Sequence, residues 1–222
     1  MPAPAAPGPA AGTLVLATRN AGKLRELARI LGGQVKLTGL DEFPDAPDVP
    51  ETGATFEANA LLKARAIADH TGLPAVADDS GLCVDALNGM PGVFSARWAG
   101  AHGDDKANLV LVLAQVADVP DARLAAQFVC AAALVVPGDA RSGRALPPPG
   151  LSLGRAPREV VVTGTLDGRL IRVPRGTGGF GYDPIFLPDG FSQTTAEMTA
   201  EEKDAISHRG RAFRALVPYI SP

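Results

Sequence analysis

The chain has 222 residues, 46% of them hydrophobic, which is enough for one sizeable core and short for two independent domains. Twenty-one basic residues against 24 acidic ones give a formal charge of -3, which argues against a protein that lives on nucleic-acid phosphates and requires any functional cations to be clustered locally. The two cysteines, Cys83 and Cys130, sit in apolar runs without Cys-x-x-Cys or His-rich spacing, which argues against a zinc site or a disulfide framework and points to buried free thiols.

Met1 to Gly12 is Ala, Pro and Gly with no basic start, so it reads as a disordered tail and not as a secretory signal, leaving 13–222 as one folded unit. No run approaches the length of about 18 apolar residues that spans a bilayer. The sequence therefore reads as a soluble cytoplasmic protein without a membrane partner. Thr13 to Ala17 is a short apolar run, followed by the polar loop Thr18-Arg19-Asn20-Ala21-Gly22-Lys23, and then by Leu24, Leu27, Ile30 and Leu31 at helical spacing. Strand, loop and helix in that order invite comparison with a phosphate-binding P-loop. The Walker pattern fails twice, with Ala17 in place of the first glycine and Leu24 after the lysine. The physics survives the failed motif, because a polar loop opening a helix offers free backbone N–H groups and a positive dipole end, with Arg19 and Lys23 adding charge. A solvated first helical turn has the same composition.

Val35 to Leu37 is a second short strand, and Asp41 to Pro50 is an acidic, proline-rich loop. A helix follows from Phe56 to His70, with Phe56, Ala60, Ala64 and Ile67 as its apolar stripe and Gly72-Leu73-Pro74 as its stop. Glu51 lies near its entrance, and Asn59 and Lys63 share one face, either solvated or turned to a common ligand. Ala75-Val76-Ala77 runs into Asp78-Asp79-Ser80-Gly81, which predicts a strand ending in two carboxylates at a sheet edge, with the two side chains pointing to opposite sides. The same residues also compose a surface turn.

Asp104 to Ala117 has helical spacing in Leu109, Val112, Leu113 and Val116, and Gln127 to Val136 reads as a strand. Residues 137–157, rich in Pro, Gly, Arg and Ser, read as a surface insertion in a hairpin. Arg158 to Leu166 is the returning strand, Asp167-Gly168 a turn, and Arg169 to Val173 a further strand. Gly176-Thr177-Gly178-Gly179-Phe180-Gly181-Tyr182-Asp183-Pro184 packs four glycines into six residues, so a backbone can approach a ligand closely while Phe180 and Tyr182 offer stacking faces. Thr199-x-x-Glu202 is a capping box for a helix carrying Lys203, and Ser207-His208-Arg209-Gly210 opens the last helix.

One nucleotide site accounts for these segments together. Magnesium takes one or two carboxylates plus phosphate oxygens, which suits Glu51 and Asp79. Arg19, Lys23, Lys63 and Lys203 would meet the triphosphate, and the glycine loop with His208 and Arg209 would meet the base.

In these motifs, and in their order, the sequence resembles the inosine/xanthosine triphosphate pyrophosphatase family, the dITP/XTP pyrophosphatases that hydrolyse aberrant purine nucleotides. The resemblance runs from Leu14 to Leu216 and includes Pro91-Gly92-Val93-Phe94-Ser95-Ala96-Arg97. It implies an elongated α/β fold, a long mixed sheet flanked by helices with a cleft between two lobes, usually assembled as a homodimer. It also implies Mg2+-dependent attack of water on the α-phosphorus, giving nucleoside monophosphate and pyrophosphate. Carried over by position, Thr18, Arg19, Asn20, Ala21, Gly22 and Lys23 bind phosphates, Asp79 is the catalytic carboxylate, acting as proton acceptor or metal ligand, and Glu51 would share the metal. Lys63, Ser80, Phe180, Gly181, Tyr182, Asp183, Lys203, His208 and Arg209 hold substrate. Pro50 departs from the family pattern, which often has a second acidic residue there, and the 137–157 loop is longer than usual. A catalytically inactive nucleotide sensor and a house-cleaning enzyme for other modified nucleotides are the competing readings. The acidic residues argue against the first, and the Asn20, Lys23, His208 and Arg209 segments against the second.

Overall fold

A computed structural model describes residues 13–19, 21–30, 36–138 and 158–220. The tail, Asn20, Leu31, Val35 and all but the first two residues of the 137–157 loop lie outside this range. The described elements are β1 (Thr13–Leu16), α1 (Ala21–Ile30), β2 (Lys36–Thr38), α2 (Phe56–Thr71), β3 (Ala75–Val84), β4 (Met90–Pro91), α3 (Asp105–Gln115), β5 (Ala125–Val136), β6 (Arg158–Leu170), β7 (Phe186–Pro188), α4 (Ala200–Ile206) and α5 (His208–Ile220). The sheet runs β2-β1-β3-β5-β6-β7, with β4 paired to β3 off this path. β1 is parallel to β2 and β3, while β5, β6 and β7 are antiparallel to their neighbours, so the fold is a mixed α/β sheet flanked by helices, as the sequence implied. No helix among the described residues is long and apolar enough to cross a membrane.

Period-two alternation along the long strands builds the core. Ala75 and Ala77 of β3 and Ala131 and Ala133 of β5 face α2, where the predicted stripe of Phe56, Ala60, Ala64 and Ile67 covers them. Val76, Cys130, Ala132 and Leu134 face the other way, against Leu27 of α1 and Ala212, Phe213 and Leu216 of α5. Beyond Gly81 the same strands enter a further cluster, in which Leu82, Val84 and Phe128 pack with Leu109 and Val112 of α3 and with Ile185 and Phe186. Small side chains let the helices come close. A Cβ on Gly164 of β6 would lie 2.3 Å from the His208 carbonyl oxygen, so the start of α5 rests on the strand backbone. Both cysteines are free thiols, Cys130 buried and Cys83 half-buried.

Two sequence expectations fail. β3 does not stop at its carboxylates, because β5 pairs with it from Ala75↔Val135 to Val84↔Ala126 and carries the strand through Asp78 to Gly81 despite the poor β propensity of those residues. On its other side β1 ends against Val76 and β4 begins at Cys83, so among the described residues no strand covers β3 between these points. The carboxylates thus lie mid-strand beside a gap and not at the strand's tip. The Asp167-Gly168 turn is also absent, since β6 runs unbroken from Arg158 to Leu170, where it ends short of the expected Val173. Gly168 serves packing there, because a Cβ would stand 2.4 Å from the Leu187 carbonyl oxygen of β7.

Asp78 faces α1 and α5, and its carboxylate accepts from Lys23 Nζ at 3.2 Å and from Arg209 Nε at 3.2 Å. Arg209 is itself buried, and its remaining donors reach Glu26 of α1 at 3.1 Å and Ser80 Oγ at 3.0 Å. Burial alone would raise the Asp78 carboxyl, yet the Lys23 and Arg209 cations outweigh it and hold the group well below the usual carboxylate range. Three segments far apart in sequence are tied at this point. Asp78→Asn leaves Arg209 buried with only Glu26 for charge, so it should destabilise the fold by about 3 kcal/mol, the lower end of the range for uncovering one buried charge. Thermal unfolding should show a fall in Tm of roughly 6 to 12 °C, and a change under about 2 °C would disprove the role.

Candidate active site

Asp79 points opposite to Asp78, toward α2. Its carboxylate accepts from Asn59 Nδ2 at 2.9 Å and lies 3.7 Å from Lys63 Nζ, and Lys63 in turn donates to Glu51 Oε1 at 2.6 Å. Thr55 starts α2 by accepting from Ala58 N, which fixes the helix phase that turns Asn59 and Lys63 to the strand. Burial raises the Asp79 carboxyl above its ordinary value, Lys63 opposes that shift, and the neighbouring Glu51 adds to it. Burial would lower Lys63, but the carboxylates around it keep its ammonium charged. Burial would likewise raise Glu51, but Lys63 and Arg97 outweigh it and favour the carboxylate form.

Among the described residues no group of three or more His, Cys, Asp or Glu side chains is placed to hold a metal ion by itself. What the site offers is a carboxylate pair, Glu51 and Asp79, sharing one cationic partner. A hard ion that takes one or two protein carboxylates and completes its shell with substrate phosphate oxygens and water fits that donor set.

Around the uncovered side of β3, Ser80 and Lys23 stand on the face opposite Asp79. Next to Lys23 opens a cleft of about 370 Å³, walled by Lys23, Glu26 and Arg29 of α1 on one side and by Gly178 to Phe180, Thr195 and Lys203 on the other. Phe180 is 56% exposed and lies under two cations, Lys203 Nζ at 5.0 Å and the Arg209 guanidinium carbon at 5.7 Å from its ring centre. Asp183 is buried beneath the loop, where it accepts from Phe180 N at 2.8 Å and Thr195 Oγ1 at 2.7 Å and pairs with Lys203. A Cβ on Gly179, at φ 71°, would run into that carboxylate at 2.0 Å. The glycine is what lets the loop fold over Asp183.

The structure therefore brings Lys23, Ser80, Phe180, Lys203 and Arg209 to one region, and Glu51, Lys63 and Asp79 to the adjoining face. Among the other predicted residues, several make contacts of a different kind. Arg19 donates to the Ala46 carbonyl at 2.8 Å and pairs with Asp48, so it is tied to the 41–50 loop. Thr18 accepts from Leu40 N through its carbonyl at 3.2 Å, holding the same loop. Ala21 and Gly22 form the first turn of α1, and Asn20 lies outside the described residues. The Gly181 amide turns away to Asp105, at 2.8 Å.

Tyr182 corrects the stacking expectation, because its ring is buried in the core with Ile185 and Phe186 and its hydroxyl donates to the Ser95 carbonyl at 2.8 Å. Asp183 supports the loop and Lys203 from below. His208 is buried and stacks on Phe128 at 4.9 Å with its Nδ1 unpartnered among the described residues. Burial, with Arg209 and Lys203 nearby, holds its imidazole neutral. Sequence reasoning left Asp78, Asn59, Glu26 and Arg97 without a site role. Strand alternation was the available signal for Asp78, and the four-residue spacing to Lys63 was the signal for Asn59. Glu26 had none, since it acts through a folding partner distant in sequence, and Arg97 had only its place in the Pro91 to Arg97 motif.

The chain is similar to known proteins over nearly its whole length. The model of the Ham1 family matches residues 14–219. A dITP/XTP pyrophosphatase of Streptomyces coelicolor is 59% identical over 210 residues, covering 93% of this chain and 96% of that protein. The crystal structure of the nucleoside-triphosphatase / dITP/XTP pyrophosphatase of Mycobacterium abscessus is 54% identical with a TM-score of 0.71, covering 93% of this chain and 99% of that one. A HAM1 protein from Coxiella burnetii superimposes with a TM-score of 0.78 at 40% identity, covering 94% of this chain and 98% of that one. Matched over nearly its whole folded length by both sequence and structure, the chain belongs to the Ham1 family.

Proposed function

We propose that this chain hydrolyses aberrant purine nucleoside triphosphates, dITP, ITP and XTP, to nucleoside monophosphate and pyrophosphate with Mg2+ as cofactor. The observation that carries the reading is the uncovered stretch of β3, where Asp79 with Lys63 and Glu51 on one face adjoins Ser80, Lys23 and the Phe180 cleft on the other. A base stacked on Phe180 leaves the phosphates directed to Lys23 and Ser80 and around the strand to Lys63. The names of the relatives support the substrate class.

Glu51 and Asp79 would hold the divalent ion, which supplies positive charge to the phosphates when bound. Asp79, kept basic by burial, accepts a proton from water as the water oxygen bonds to the α-phosphorus. The bond from that phosphorus to the bridging oxygen breaks, and the electron pair leaves with pyrophosphate. Lys23 and Lys63 stabilise the charge that grows on the departing group. On the family resemblance the working form is a cytoplasmic homodimer, and light scattering should return about twice the 22.8 kDa chain mass.

Asp79→Asn preserves volume and the contact with Asn59 while removing the base, so kcat should fall about 10² to 10⁴-fold. Coupled phosphate release with added inorganic pyrophosphatase measures this, and retention of half the activity would remove Asp79 from catalysis.

The two aromatic residues of the glycine loop should separate. Phe180→Ala removes the stacking face and should raise KM for ITP about tenfold, since base stacking is worth about 1 to 3 kcal/mol. Tyr182→Phe loses one buried hydrogen bond, worth about 1 kcal/mol of stability, and should leave KM within about twofold. An unchanged KM in Phe180→Ala would remove Phe180 as the stacking residue.

The cations flanking Phe180 favour an acceptor oxygen at C6 of the base and oppose the amino group of adenine. Across a nucleotide panel, kcat/KM for ITP and XTP should exceed that for ATP by at least about 100-fold, or roughly 2.7 kcal/mol. Hydrolysis of ATP within tenfold of ITP would overturn the proposed base selectivity.

A further inference from the structure

We infer that Arg97 is a positioning residue that fixes Glu51 for metal binding, an inference that rests on the reading of Glu51 as a metal ligand. Glu51 lies in a stretch without helix or strand between Phe43 and Thr55, so no backbone ladder sets its side-chain direction. Two groups grip its carboxylate from different sides. Lys63 takes Oε1, and Arg97 Nη1 donates to Oε2 at 3.3 Å. Arg97 also donates through Nη2 to the Glu51 main-chain carbonyl at 3.3 Å. One planar guanidinium thus holds the side chain and the backbone of the same residue in a fixed relation, which a single point charge cannot do.

Arg97 is itself carried on a rigid arm. It ends the 3-10 turn Gly92–Arg97, and Ser95 clamps that turn to β3 by accepting from Leu82 N at 2.9 Å and donating to the Gly92 carbonyl at 2.6 Å. Gly81 makes the clamp possible, since a Cβ there would lie 2.3 Å from Ser95 Oγ. The Tyr182 hydroxyl holds the Ser95 carbonyl from the other side, and the Phe94 ring lies 5.3 Å from the Arg97 guanidinium carbon. The arm therefore references Glu51 to β3, the strand that bears Asp79. The two carboxylates gain a common frame although one belongs to a strand and the other to a loop.

Outer partners that orient metal ligands change metal affinity by about 10 to 100-fold when removed. Arg97→Gln and Arg97→Lys should each raise the Mg2+ concentration for half-maximal ITP hydrolysis about tenfold, with kcat at saturating Mg2+ within about threefold of wild type and Tm within a few degrees. Mn2+ binding, followed by water-proton relaxation with the non-hydrolysable inosine α,β-imidotriphosphate present, should weaken by a similar factor. Wild-type Mg2+ dependence in both variants, full rescue by Lys, or a lowered Tm with unchanged metal dependence would overturn the inference. Glu51→Gln separates the two layers. An unchanged Mg2+ requirement in Glu51→Gln removes the metal reading itself, whereas a shift there with none in the Arg97 variants removes only the role of Arg97.

Discussion

A carboxylate in the middle of a sheet is tolerated only where cations surround it, and Asp78 meets that condition with Lys23 on α1 and Arg209 on α5. The arrangement fixes more than one ion pair. Because Asp78 faces α1 and α5, the pleat sends Asp79 to the α2 face, where Asn59 and Lys63 receive it. The chemistry on one face thus depends on the charge pairing on the other. A one-residue slip of β3 would exchange the two carboxylates and bury each against the wrong partners.

The charges of the site fall into two groups with different tasks. Asp78, Arg209 and Glu26 are largely committed to one another, and they give the cleft a fixed wall. Lys63, Glu51 and Asp79 form a second set, whose lysine touches both carboxylates. Phe180 stands at the border, half open to solvent and flanked by Lys203 and Arg209. Its backbone is held by Asp183, a buried carboxylate whose visible work is to fold the glycine loop and aim Lys203.

Much of this was legible in the residues. The α2 stripe and its Gly72 stop, the capping box of α4 and the opposed directions of Asp78 and Asp79 follow from spacing within a few residues, and local physics decides them. The dense motifs, taken in order, also identified the family without any contact being known.

What the sequence could not decide was every outcome set by a distant partner. β3 runs on through Asp78-Asp79-Ser80-Gly81 because β5 pairs with it along its full length, a tertiary constraint that outweighs the local turn preference of those residues. Asp167-Gly168 stays in strand because β7 needs the space that a side chain would fill. Tyr182 turns inward, toward Ser95, where burial of its ring and a hydrogen bond outweigh exposure beside Phe180. Period and turn chemistry act over neighbours in the chain and so can be read from it. Which side chain meets which across 46 to 183 residues is settled only when the apolar surfaces close and each buried polar group must find its partner.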